Sequence, residues 1–278
     1  MLDKIKSALV RKLFRFVRRR SGTTFGFKIQ RLAESFYRAS YNAGYDFETN
    51  GEMRALNIAT RRPGDLVLFD VGAHTGGWSK AALARAPGAR IFAFEPAAGT
   101  YAKLAANTGN IPQISAFPFG LSDQTAEREL LVSIGTAQKT SIEVASAGRL
   151  NVNVADYKHE DAEFMRGDEF CAKHGVGHID FLKVDTEGHD IKVLRGFADM
   201  LAERRIDVIQ FEYNRLNIFA RALLFDFYEL LESGYVIGRV YPANVAFRPY
   251  QPHDETFIDG NFICVRKDMP ELVNRLAG

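Results

Sequence analysis

Two stretches of this chain place acids and glycines at the ends of apolar runs. The first reads Val67-Leu-Phe-Asp-Val-Gly-Ala-His-Thr-Gly-Gly77 and is followed by Ile91-Phe-Ala-Phe-Glu-Pro96. An apolar run of strand type ends in Asp70 and a glycine turn, and a second run ends in Glu95. In open α/β sheets, ligands lie outside the carboxyl ends of the strands, at the switch point. Gly72 and Gly76 let the backbone turn sharply and approach a ligand. A carboxylate at Glu95 can accept hydrogen bonds from both hydroxyls of a ribose. A dinucleotide site prefers G-x-G-x-x-G, which brings backbone against a pyrophosphate. The turn Gly72-Ala-His-Thr-Gly76 lacks that spacing, so the expected ligand has a ribose and no pyrophosphate. S-adenosylmethionine fits, with Asp70 reaching its amino-acid end directly or through water. The same residues also suit a plain strand-to-helix turn with a buried acid. His74 is either a ligand contact or a hydrogen-bonded turn residue, and Trp78 is expected in packing.

The second stretch is Asp180-Phe-Leu-Lys-Val-Asp-Thr-Glu-Gly-His-Asp190. A strand here delivers Asp185, Glu187 and His189 into its carboxyl-end loop. If it neighbours the first strand, these groups face the crevice beside Gly72, where an acceptor meets a bound cofactor. Methyl transfer to an alcohol needs the hydroxyl held in line and a base for its proton. Asp185, Glu187 and His189 are all candidate bases. The acids can equally orient the acceptor, or cap the next helix, where negative charge is favourable. Lys183 is read as a structural ion-pair partner. Gln210-Phe-Glu-Tyr-Asn214 ends the following strand, which sets Glu212 and Asn214 on the acceptor side. Asp185, Glu212 and Asn214 have donor types suited to Mg²⁺, but no dense ligand spacing supports a metal, and none is expected.

The elements that must position these residues follow from periodicity. Strands are expected at 66–71, 90–95, 114–119, 179–184, 206–211, 235–241 and 257–265, with an extended segment at 129–134. Helical patterns fall at 28–43, 51–60, 76–86, 97–107, 189–196 and 221–233. Strands alternating with helices imply an α/β fold with a doubly wound, mostly parallel sheet. Between 135 and 168 the pattern fades, as an ordered insertion or a lid would. Residues 2–20 read as a basic amphipathic helix, with Leu2, Ile5, Leu9, Leu13 and Phe16 at spacings of three and four. Such a helix can lie on an anionic membrane surface or pack on a domain with its basic face solvated. Residues 1–22 are taken as this helix and a linker. Residues 23–278 are taken as one domain, with helices over 28–60 and a core over 64–268.

Composition bounds the rest. The chain has 278 residues, 46% hydrophobic and 25% charged, which is ordinary for a soluble globular protein. Residues 1–20 hold eight Lys/Arg and one Asp, leaving 28 basic against 33 acidic side chains of the 36 and 34 in the whole chain. That mildly acidic body argues against nucleic acid as a partner. Cys171 and Cys264 form no framework or zinc motif, so a reducing cytoplasm is the default. No apolar run approaches the roughly 20 residues that span a bilayer.

At these residues the sequence resembles the FkbM family of S-adenosylmethionine-dependent methyltransferases. The matching pieces are Asp70–Gly76, Phe94-Glu-Pro96, Gly120-Leu-Ser-Asp123, Ile179–Gly188 with Val193-Leu-Arg-Gly196, and Gln210-Phe-Glu212. Leu230–Tyr235 and Gly260-Asn-Phe262 add to them. The likeness covers roughly 50–268, and Lys183–Gly188 is its family-specific part. It implies a class I methyltransferase (Rossmann-like) sheet of seven strands, the last antiparallel, with N-terminal helices added. It implies an O-methyltransferase acting on a sugar, polysaccharide, glycolipid or polyketide-type hydroxyl. By position, Gly72, His74, Thr75 and Gly76 would hold the methionine part, and Glu95 the ribose. Leu121, Ser122 and Asp123 would lie near adenine. Asp185 and Glu187 would lie beside the transferring methyl.

An NAD-dependent oxidoreductase is the competing enzyme. It lacks support from a pyrophosphate turn or a Tyr-x-x-x-Lys pair. A non-catalytic scaffold of the same fold often loses the glycine turn or the ribose acid, and both stand here. A nucleic-acid methyltransferase would want a basic channel or an Asn/Asp-Pro-Pro-Tyr/Phe loop where Asp185-Thr-Glu-Gly188 stands. The membrane-surface reading of residues 1–20 favours a lipid-linked or envelope glycan.

Overall fold

The computed structural model describes residues 2–44, 46–133, 141–143 and 157–278. The chain divides into two compact units, Met1–Ala43 and Gly44–Gly278. The division falls at 43/44 rather than at the expected 22/23, so the second helix groups with the first. The smaller unit holds α1 (Leu2–Arg20) and α2 (Thr24–Ser40). Helix α2 starts earlier than the hydrophobic pattern suggests because Thr23 caps it, its hydroxyl accepting from Gly26 N–H at 3.0 Å. Among the described residues, no helix is long and apolar enough to cross a membrane.

The larger unit runs α3 (Glu52–Ala59), β1 (Val67–Val71), α4 (Gly77–Arg85), β2 (Arg90–Phe94), α5 (Ala98–Thr108) and β3 (Ile114–Phe117). Then come β4 (Gly120–Ser122), β5 (Ala126–Ser133), β6 (Ser141–Glu143), β7 (Tyr157–Arg166), α6 (Gly167–His174) and β8 (Ile179–Val184). The chain closes with α7 (Asp190–Arg195), α8 (Ala198–Ala202), β9 (Ile206–Tyr213), α9 (Leu216–Ala220), α10 (Leu224–Leu231), β10 (Tyr235–Val240), β11 (Val245–Phe247), β12 (Gly260–Arg266) and α11 (Pro270–Ala277).

The main sheet has the order β11-β10-β12-β9-β8-β1-β2-β3. Strands β3, β2, β1, β8 and β9 are parallel, and β12 runs antiparallel to both β9 and β10. The sheet therefore has eight strands, not the expected seven. The extra edge strand β11 is the return arm of a hairpin on β10, closed where Tyr241 N–H donates to the Asn244 carbonyl at 2.8 Å. From β1 the chain builds β2 and β3 on one side, then crosses to β8 on the other, so the switch point lies between β1 and β8.

A second sheet, β4-β7-β5-β6, was not expected. Of β7, only Ala162, Phe164 and their neighbours toward its end turn inward, while Lys158, His159, Asp161 and Glu163 are exposed. That run of charged residues has no apolar alternation for a sequence reading to find. The faded stretch at 135–168 otherwise falls mostly on 134–140 and 144–156, outside the described residues.

Strand β1 shows why the main sheet is buried on both faces. Val67, Phe69 and Val71 point into one layer with Phe94, Phe170 and Phe197. Leu68 points into the other with Leu56, Trp78 and Phe181. Trp78 is a packing residue, its ring 5.9 Å from Phe181.

Candidate functional site

The glycine turn after β1 is fixed from two sides. Gly72 and Ala73 N–H both donate to the Phe94 carbonyl, at 3.0 and 2.9 Å, which ties the turn to the end of β2. Gly72 has φ +83°, and a Cβ there would collide with the Asp185 carbonyl at the exit of β8. Only glycine lets the two strand ends approach so closely. Gly76 at φ +81° opens α4 without a side-chain cap. Thr75 is tied to α5, its carbonyl accepting from Asn107 Nδ2 at 2.9 Å. His74 is half-buried with φ +51°, and burial, followed by the charge of Lys103, lowers its pKa.

Glu95 sits at the end of β2, buried, with one oxygen on each side of the turn. Oε2 accepts from His74 N–H at 3.0 Å and Oε1 from Ala97 N–H at 3.0 Å. Burial pushes its carboxyl up to about 7 despite these two hydrogen bonds. Each oxygen has a further lone pair, so the pair can still accept from a vicinal diol.

Leu121 and Ser122 are buried at β4. Ser122 Oγ lies 2.9 Å from both Asp123 Oδ1 and His189 Nε2. Asp123 also meets Arg128 at 3.3 Å. The Ser122 hydroxyl donates to Asp123 Oδ1, so it accepts from His189 Nε2. This commits one ring nitrogen of His189 to the Ser122 loop and makes the residue a bridge between the two sides of the crevice. Its ring also packs 5.5 Å from Phe164.

Asp70 lies beneath the turn with its carboxylate directed inward. It is fully buried, with Oδ2 accepting from Ser79 Oγ at 2.7 Å and Oδ1 3.3 Å from Lys183 Nζ. The parallel register sets Asp70 opposite Lys183, which is why the two meet beneath the turn. Lys183 also reaches Asp185 at 3.1 Å, so its expected role as an ion-pair partner holds. Burial pulls its pKa down, but Asp185, Asp70 and Glu52 outweigh burial and hold the ammonium above the ordinary lysine value.

Asp185, Glu187 and Glu212 come together at the carboxyl ends of β8 and β9. Glu187 takes a left-handed φ of +53° and Gly188 one of +95°, which turns the loop back against Leu216. A non-glycine residue in this region carries strain of the kind that gathers at functional sites. Glu212 is pushed well above the carboxylate range by burial and by Asp185, Glu187 and Asp190. Asn214 is buried behind it, donating to Glu212 Oε2 at 2.6 Å and accepting from Leu216 N–H at 2.8 Å. Its side chain is thus occupied in holding Glu212 and starting α9.

Two residues that carry this arrangement were missed in sequence. Asp190 Oδ2 accepts from Thr186 Oγ1 at 3.0 Å and from Thr186 and Gly188 N–H at 3.3 Å; Oδ1 accepts from Glu212 N–H at 3.4 Å. An acid two residues after a glycine, at a helix start, was the available signal. Glu52, on α3, accepts from Gln210 Nε2 at 2.5 Å, Asn50 Nδ2 at 2.6 Å and Asn261 Nδ2 at 2.9 Å. Nothing in its local sequence distinguishes it from a surface helix acid.

Among the described residues, the grouping of three metal-ligand types is His178, Asp180 and Asp207. It lies at the opposite, amino ends of β8 and β9. Arg62 pairs with both acids there and Arg266 with Asp207 at 3.0 Å. The crevice itself combines a glycine cradle that a Cβ would fill, a buried diol acceptor and a net acidic rim. These fit a nucleoside bearing a positively charged sulfur.

Comparison with known proteins agrees. The Methyltransferase FkbM domain matches residues 70–237. The chain is 24% identical to the 2-O-methyltransferase NoeI of Sinorhizobium fredii, covering 56% of this chain and 66% of that protein. It is 27% identical to the hexuronic acid methyltransferase AglP of Haloferax volcanii, covering 52% and 56%. It is 29% identical to the 31-O-demethyl-FK506 methyltransferase FkbM of Streptomyces tacrolimicus, covering 50% and 61%. The chain thus spans about three-fifths of the length of these relatives. The chain belongs to the FkbM methyltransferase family, with S-adenosylmethionine as its cofactor.

Proposed function

We propose that the chain methylates a hydroxyl of a carbohydrate acceptor: a sugar, polysaccharide or glycolipid. The observation that carries this reading is the set of carboxyl groups, Asp185, Glu187 and Glu212, gathered at the ends of β8 and β9. Carboxylates accept hydrogen bonds from hydroxyls and give a polyhydroxylated acceptor several points of attachment. A relative named for a sugar acid, the hexuronic acid methyltransferase, supports the acceptor class, and the 2-O-methyltransferase supports transfer to oxygen.

When bound, the cofactor supplies an electrophilic methyl group on a cationic sulfur. Glu95 would accept from its ribose hydroxyls, and the glycine turn would allow the backbone to approach it closely. Asp185 and Glu187 would orient the acceptor hydroxyl, and one of them would take the proton that this hydroxyl loses on methylation. Asp190 and Asn214 hold the loop and Glu212 in position.

The test is transfer of labelled methyl to a panel of oligosaccharides, glycolipids and hydroxylated macrolides. Label bound to oxygen on a carbohydrate is expected, with Glu187→Gln slowed by about 10²-fold or more. Label on macrolides alone, as the relative named for FK506 would suggest, would replace the carbohydrate reading; unchanged turnover in Glu187→Gln would remove that residue from the chemistry.

A further inference from the structure

We propose that residues 1–43 form a docking surface for an anionic lipid bilayer. The inference is independent of the acceptor. Among the described residues, twelve large hydrophobic side chains are exposed, and nine of them lie in this unit of two helices. Gly26 is the one buried residue here among those whose side chains are described, so these side chains form no core between the two helices. On α2, Phe25, Leu32 and Phe36 recur with Ile29 at steps of four, three and four, which puts them on one helical face. On α1, Leu13 and Phe16 continue the same kind of stripe, while Phe14, Arg11, Arg15 and Arg18 lie around the helix from it. The turn between the helices is built, not loose: Thr23 caps α2, the Phe16 and Phe25 rings meet edge to face at 6.3 Å, and Arg20 lies over both.

Charge identifies what covers these faces. Residues 1–43 carry eleven Lys/Arg and two acids. A second copy of the same surface would bring like charges together. A nucleic acid would use the basic groups but leave the aliphatic stripe in water. An anionic bilayer takes both, with the apolar face at the acyl boundary and the basic side chains among the headgroups. Each basic residue near such a surface strengthens binding by about fivefold.

The experiment is flotation of the full chain with phosphatidylcholine vesicles, with and without phosphatidylglycerol, over a range of salt. Binding is expected to need phosphatidylglycerol, to weaken as salt rises, and to fall by about tenfold or more in Leu13→Glu/Phe36→Glu. Unfolding of the larger unit is expected to be unchanged in that variant. No binding at low salt, equal binding to both vesicle types, or binding indifferent to the double substitution would each overturn the proposal. A wild-type dimer that the substitutions dissociate, with no vesicle binding, would do the same and assign the surface to a second copy. The salt series on the unaltered chain needs no variant to fold.

Discussion

Replacing Lys183 by Met tests whether the site rests on the buried ion pair beneath the glycine turn. Lys183 is 4% exposed and Asp70 0%. Without the ammonium, Asp70 keeps only the Ser79 hydrogen bond at 2.7 Å among its contacts described above. Removing one partner of a buried pair costs about 3–5 kcal/mol because the other charge is left uncompensated. In a unit of this size that is a fall in Tm of roughly 6–20 °C. The sign of the pH dependence follows. In the wild type, Lys183 is held above its ordinary value, so its stabilisation is fully present below about pH 10.4 and is lost only at higher pH. Urea or thermal unfolding of both proteins at about pH 8 reads the deficit directly. Asp70→Asn/Lys183→Met, which removes both charges, should recover most of the loss. A deficit under about 1 kcal/mol, or no recovery in the double variant, would refute the reasoning.

Further outcomes are expected at three residues. Burial raises the Glu95 carboxyl from its ordinary 4.5 to about 7, so its contribution to stability is full below about 4.5 and is lost as pH rises through about 7; Glu95→Gln should flatten that part of the stability profile. Binding of S-adenosylhomocysteine through the ionised Glu95 carboxylate should weaken by up to about tenfold per pH unit below about 7, and a pH-independent affinity would contradict that contact. Gly72→Ala adds a Cβ against the Asp185 backbone at φ +83°; it should destabilise by more than about 1–2 kcal/mol and impair cofactor binding in calorimetry. Asp190→Ala should reduce turnover while leaving S-adenosylhomocysteine affinity within about threefold, because it releases the Thr186–Gly188 loop and Glu212 rather than the ribose side; equal loss of both would show that the two sides are not separable.

The alternation of strands and helices was legible because the central strands are buried on both faces. Ile179–Val184 matches its expected span, and Val67–Val71 and Arg90–Phe94 fall within a residue of theirs. The edges were not legible. Strand β11 is three residues closed by a hairpin, and β7 is stabilised by pairing with β5 while its side chains are mostly charged. In the site, the glycine turn and Glu95 could be read because a close backbone approach and a strand-end acid leave a sequence signature. Side-chain direction could not. Asp70 and Asn214 stand next to the crevice in sequence, yet the register with Lys183 and the bond to Glu212 turn their polar atoms into the protein. Glu52 lies 158 residues from its partner Gln210, and only the folded chain brings them together.

The most direct measurement is calorimetric titration of the purified full chain with S-adenosylhomocysteine, with NADH as a competing nucleotide and Glu95→Ala as the control. The account predicts saturable binding of S-adenosylhomocysteine alone, lost when the Glu95 carboxylate is removed from a chain that remains folded. Absence of binding to the folded wild type, or binding that Glu95→Ala leaves unchanged, would contradict the placement of the cofactor in the crevice between β1, β2 and β8.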